Sequence, residues 1–214
     1  MQQIFEALLS KNPNPKTELN FTNTFTLLVA VVLSAQATDV SVNKATKNLF
    51  LKAKTPQDII NLGEEYLLKE LKTINYYKTK VKNILELCSI LISKFNSNVP
   101  DSLQSLISLP GVGRKTANVV LSSGFGKQAL AVDTHVARLA TRLALTKNTK
   151  PELIEGDLVR KAKRHNIDLN KLHHLFILHG RYVCKAQKPM CGECVIKDFC
   201  SFAKQTYKKP ICKA

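Results

Sequence analysis

Ser105-Leu-Ile-Ser-Leu-Pro-Gly-Val-Gly-Arg-Lys-Thr-Ala-Asn-Val-Val-Leu121 reads as helix, tight glycine turn, helix. Gly111 and Gly113 carry no side chain, so the turn can adopt φ > 0 and set backbone N–H groups against a ligand. The second helix then aims its unsatisfied N-terminal donors and positive dipole end outward, a ready anion site. Leu109, Gly111, Val112, Gly113 and Arg114 are therefore expected at a DNA phosphate. Such a contact fixes register on a duplex without reading a base. The plainer alternative is an ordinary αα-turn closed by a glycine C-cap. Leu-Pro-Gly-Val-Gly followed at once by Arg-Lys is more specific than that turn requires.

Outward from this hairpin the chain keeps helical spacing. Ile84, Leu87, Cys88, Leu91 and Ile92 recur on one face, and no segment sustains period-two alternation. Thr55-Pro56, Asp101-Ser102 after Pro100, and Lys150-Pro151-Glu152 are helix starts. Helices are predicted near 2–11, 24–34, 39–52, 56–62, 64–73, 77–95, 102–108, 114–123, 134–145, 151–164 and 170–183, giving an all-α fold. The run Leu27–Leu33 is apolar on every side and belongs at the centre of a bundle. Asn12-Pro-Asn-Pro-Lys16 reads as a linker, and Phe125-Gly126-Lys127 as a second junction. The first helix and the C-terminal third would then form one lobe and the middle another.

Lys and Arg number 32 against 16 Asp and Glu, a net charge of +16. That excess favours a nucleic acid or an anionic membrane as partner. No apolar h-region opens the chain, and the longest apolar run is the seven residues Leu27–Leu33, far short of a membrane span. Six cysteines without an export signal favour metal ligation or free thiols over disulfides. A cytoplasmic, nucleoid-associated protein is expected, with no membrane attachment.

Cys184, Cys191, Cys194 and Cys200 stand at C-x6-C-x2-C-x5-C. Four thiolates from so short a segment can converge on one metal centre and fix a loop with too few apolar residues to pack itself. Zinc accepts such a set as readily as iron and sulfide. Lys185 and Lys188 lie inside the loop and would face phosphate. Cys88 reads as a core residue and Cys212 has no evident partner; His135 reads as a packing or cap-region residue rather than a proton shuttle, and His165, His173, His174 and His179 as helix residues rather than a metal set.

Lys115 lies one turn into the second hairpin helix, and Asp133 in Val132-Asp-Thr-His135 opens another. A helix, a glycine-containing return and a new helix start would bring Asp133 back near Lys115. A lysine in a sequence is nearly always a solvated surface charge, and Asp133 fits a helix N-cap. The functional reading starts from the amine, which attacks carbon only when neutral. A carboxylate nearby favours the ammonium, so Asp133 makes better sense as a proton acceptor during attack. It would also face the positive charge developing on a sugar.

These motifs, with Leu33-Ser-Ala-Gln-Ala-Thr-Asp-Val40, Ala131-Val-Asp-Thr-His135 and Ile177-Leu-His-Gly-Arg-Tyr182, give the chain a close resemblance to the endonuclease III family. Its members are bifunctional DNA glycosylases and abasic-site lyases of the helix-hairpin-helix superfamily. The resemblance runs over nearly the whole length. It implies a six-helix barrel domain with the hairpin over 17–127, and a [4Fe–4S] domain from 1–16 and 128–214. Double-stranded DNA carrying damaged pyrimidines or abasic sites would lie between them, bound by a monomer. It further implies that Lys115 is the Schiff-base nucleophile, Asp133 its acidic partner, and the four cysteines the cluster ligands. Gln36 resembles the residue that enters the gap left by an extruded base. In Thr73-Ile-Asn-Tyr-Tyr77 the chain departs from the family pattern, with Asn75 and Tyr76 replacing a small residue and an aliphatic wedge. Tyr76 can still intercalate by stacking.

Two other functions fit parts of this pattern. An adenine-mismatch glycosylase needs a carboxylic acid on the buried helix and no Schiff-base lysine; Leu27–Leu33 has no carboxylate. A non-catalytic iron–sulfur DNA-binding redox sensor would leave an abasic site intact.

Overall fold

Helices account for the regular structure of residues 1–208, the part of the chain that the computed structural model describes; Cys212 lies outside it. In order they are α1 (Gln2–Lys11), α2 (Thr24–Leu33), α3 (Asp39–Lys52), α4 (Pro56–Leu71), α5 (Tyr77–Phe95), α6 (Leu103–Ile107), α7 (Arg114–Phe125), α8 (Thr134–Arg142), α9 (Pro151–Lys163), α10 (Leu169–Tyr182) and α11 (Ser201–Lys208). Two short 3-10 turns, Cys191–Glu193 and Lys197–Phe199, separate α10 from α11. No strand occurs among the described residues, and no helix among them is long and apolar enough to cross a membrane. The chain divides into two compact units, Thr17–Lys127, and Met1–Lys16 together with the chain from Gln128 onward.

The middle unit is built around α2. Its entry is fixed by a reciprocal cap in which Asn23 accepts from the Thr26 amide and Thr26 from the Asn23 amide. Every residue from Phe25 to Leu33 is buried, with α3, α5 and α7 packed around the helix. Truncating Leu27 or Leu28 to Ala would cost about 2–5 kcal/mol. Gly124 lets α7 come close, since a Cβ there would stand 2.9 Å from Thr24 Cγ2 and 3.1 Å from Leu27 Cδ2. Thr55 and Asp58 cap α4 behind Pro56, but Gly63 (φ 76°, ψ 170°) interrupts it. The two helices predicted at 56–62 and 64–73 are thus pieces of one broken run. Cys88 is fully buried in α5, and burial pushes its thiol up to about 12.

The other unit gathers α1 with α8–α11. Ile4 and Leu8 from α1 join Leu139, Leu158, Phe176 and Ile196 in one core. α8 and α10 touch where Gly180 faces His135, whose Cβ would be 2.8 Å from a Cβ at position 180. α8 stops at Arg142, short of the predicted 145, and Ala144 turns left-handed (φ 54°). A left-handed residue cannot continue a right-handed helix.

Candidate functional site

In the middle unit the hairpin is a short helix, a closed turn and a glycine-capped helix mouth. Ser102 caps α6 through the Ser105 amide, and the turn closes with Val112 N–H donating to the Leu109 carbonyl at 3.1 Å. Leu109 and Val112 are 2% and 5% exposed, so their side chains anchor the hairpin to the core. The Val112 amide is already used within the turn. Gly111 alone of the two glycines has positive φ (74°); Gly113 is extended at φ −87°, ψ 175°. The positive φ that the glycine turn allows is thus taken up at Gly111. Gly113 is the N-cap of α7 and, as a glycine, offers no side chain to cap it. First-turn amides without a capping oxygen are what an anion can occupy. Arg114 and Lys115 are exposed at this mouth.

Two further turns of the same unit carry Gln36 and Tyr76. Both residues are exposed and both are left-handed, with φ 54° and 57°. The turns meet where Asn75 Nδ2 donates to the Gln36 carbonyl at 2.8 Å.

In the other unit Asp133 is the N-cap of α8, its Oδ1 accepting from the amides of His135 (2.9 Å) and Val136 (2.8 Å). Its Oδ2 accepts no hydrogen bond among the described residues. Asp133 and Lys115 belong to different units.

The four cysteines line one hollow, closed by Leu139, Val183, Met190 and Ile196. All four are free thiols. Burial, and then the charges of Cys184 and the other ligands, push the Cys191 and Cys194 thiols up. Thiolates that oppose one another's ionisation suit a cationic centre that neutralises them together. No three His, Cys, Asp or Glu side chains among the described residues are disposed around a single metal ion. Four sulfurs arranged around a hollow suit a larger iron–sulfur group, whose ligands stand farther apart than those of one zinc. Sequence reasoning missed the residues that hold this loop. Arg142 donates to Cys184 Sγ (3.2 Å) and to the carbonyls of Lys185 (2.8 Å) and Ala186 (3.1 Å), and lies 4.4 Å over the Phe202 ring. Arg138 Nε donates to the Cys184 carbonyl at 3.0 Å. His179 Nε2 is 3.4 Å from Cys194 Sγ, and burial holds this imidazole down near 4, hence neutral. Of the three, only His179 lay in a quoted motif, Ile177–Tyr182, and nothing there tied it to a cysteine. Lys185 and Lys188 are exposed on the loop.

Residues 29–164 match the profile of the HhH-GPD superfamily of base excision DNA repair proteins. Residues 184–200, the span from first to last cysteine, match the iron–sulfur binding domain of endonuclease III. Endonuclease III of Rickettsia conorii is 54% identical over 94% of this chain and 95% of its own length. Two solved structures, a trapped endonuclease III–DNA covalent intermediate and a non-covalent endonuclease III–DNA complex, superpose with TM-scores of 0.88 and 0.89. They are 41% and 42% identical, with 97% of each chain covered. The chain belongs to the endonuclease III family, and is a DNA N-glycosylase and abasic-site lyase with a [4Fe–4S] cluster.

Proposed function

We propose that the protein removes oxidised pyrimidines from double-stranded DNA as a monomer at the nucleoid, with Lys115 as nucleophile and Asp133 as its acidic partner. The observation that carries this reading is the glycine N-cap of α7, with Lys115 exposed in the first turn beyond it. First-turn amides and Arg114 hold a phosphate of the lesion strand, which brings the adjoining sugar within reach of the Lys115 amine. Gln36 and Tyr76 enter the base stack, and Lys185 and Lys188 hold phosphate from the cysteine loop.

The lesion nucleotide leaves the stack at a cost of a few kcal/mol, less for a base that pairs poorly. Lys115 Nζ then attacks C1′ with its lone pair, and the glycosidic C1′–N bond breaks toward the base, which leaves with a proton. Asp133 accepts the proton that Nζ sheds and faces the positive charge on the sugar. The Nζ lone pair then opens the sugar ring, breaking C1′–O4′ as O4′ takes up a proton, and the iminium so formed acidifies the 2′ hydrogen. Its loss sends an electron pair toward C1′ and expels the 3′ phosphate, cutting the strand by β-elimination. Bound through Cys184, Cys191, Cys194 and Cys200, the cluster supplies a cross-link that sets the lysine loop.

Borohydride reduces such an iminium to a stable amine. The protein is expected to become covalently attached to an oligonucleotide containing thymine glycol or an abasic site, whereas Lys115→Gln should form no adduct. Undiminished trapping by that variant would remove Lys115 from the role.

A further inference from the structure

The turns that carry Gln36 and Tyr76 are both built on the start of α5. Tyr76 is the N-cap of α5 in left-handed geometry, and its carbonyl accepts the first helical bond, from Lys80 N–H at 3.1 Å. One turn further on, Lys80 is 7% exposed although it carries an ammonium group. Its Nζ donates to the carbonyls of Leu33 at 2.8 Å and Ala35 at 2.5 Å. These are carbonyls at the C-terminal end of α2, where intrahelical donors run out and the helix dipole favours a cation. Burial alone pushes the Lys80 pKa down, so the ammonium depends on those carbonyls.

Above this footing, Asn75 Nδ2 reaches the Gln36 carbonyl. A left-handed, non-glycine residue persists only where its surroundings over-determine it. For Gln36 those surroundings are the Lys80 bonds on one side and the Asn75 bond on the other. Apart from Ala37 N–H to the Ser34 carbonyl at 3.1 Å, the turn has little bonding of its own.

We infer that Asn75 is a positioning residue that couples the Gln36 and Tyr76 turns into one two-pronged element, with Lys80 as its buried footing. The inference rests on the reading that Gln36 and Tyr76 enter DNA. Where a small residue at position 75 would leave the prongs independent, the Asn75 amide makes entry of one carry the other. The device matters for extruding a base, which must be unstacked, and hardly at all for an abasic site, which has none.

The test is a double-mutant cycle with Gln36→Ala and Asn75→Ala, in the cluster-loaded protein, on a duplex bearing thymine glycol beside 2-aminopurine. The rise in 2-aminopurine fluorescence follows opening of the stack under single turnover. Each single variant should slow that rise by about 3- to 10-fold, and the double variant should be no slower than Gln36→Ala alone. Asn75→Ala should keep its thermal midpoint and cleave a preformed abasic site within about twofold of the parent rate. Lys80→Met, which keeps the stem but loses the donors, should match Asn75→Ala in slowing extrusion more than abasic cleavage. Effects that multiply in the double variant, or a normal rise in Asn75→Ala beside a slow one in Gln36→Ala, would overturn the coupling. A normal rise in Gln36→Ala would remove the reading of Gln36 itself, and the coupling with it.

Discussion

Asp133 has a structural task that substitution can separate from its chemistry. Its Oδ1 caps α8 on two amides, and asparagine caps a helix about as well as aspartate. Asp133→Asn should therefore unfold within about 0.5 kcal/mol of the parent while losing the carboxylate that accepts a proton. Excision should fall by about two orders of magnitude or more. Denaturant unfolding and single-turnover kinetics on one preparation check both halves, and retained excision would leave Asp133 only its cap. At this scale the sequence made legible the Asp133 cap of α8 and the gathering of the four cysteines, and it offered Lys115 as a candidate nucleophile. It said nothing of Lys80, because a buried lysine looks like a surface one until the carbonyls it serves are known. Arg138, Arg142 and His179 were hidden for the same reason: their partners lie 42 to 46 residues away or, for His179, 15 residues away.

Between elements, the hairpin makes different predictions for its two glycines. At Gly111 a Cβ would lie 3.0 Å from Asn83 Nδ2 and 3.3 Å from Asn83 Cβ, and φ is 74°. Gly111→Ala should lose about 1–3 kcal/mol of stability and weaken DNA binding with it. Gly113 has open space and extended backbone, so Gly113→Ala should lose only what a poorer N-cap costs, about 0.5–1 kcal/mol. Equal midpoints in urea for the two variants would contradict this account of the turn. On α10, burial holds His174 below its ordinary 6.5 and His179 down to about 4. In the unfolded chain both bind protons near 6.5, and in the folded one only at lower pH. Stability is thus full above about 6.5 and falls as pH drops toward 4. The thermal midpoint should decline over that window, and His174→Gln should flatten part of the decline. Most helix boundaries were legible from caps and periodicity. The end of α8 was not, since only Ala144 turning left-handed stops it, and nor were the 3-10 turns and α11, whose packing against the cysteine loop has no periodic signature.

For the whole molecule, +16 net charge sets a steep dependence of DNA affinity on salt. Log affinity against log salt should slope at about −3 or steeper, and Lys185→Glu with Lys188→Glu should flatten it by about two units. An unchanged slope would take the cysteine loop off the phosphate backbone. The charge and the junctions near Lys16 and Lys127 could be read from composition and from prolines and glycines. The pairing of Ile4 and Leu8 with residues beyond 130 could not, because no local pattern records it. That pairing bears on biosynthesis. Thr17–Lys127 completes its core from one uninterrupted stretch, whereas α1 is made before its packing partners, which lie beyond residue 130. On the ribosome α1 waits through more than a hundred further peptide bonds for its apolar face to be covered, open meanwhile to chaperones.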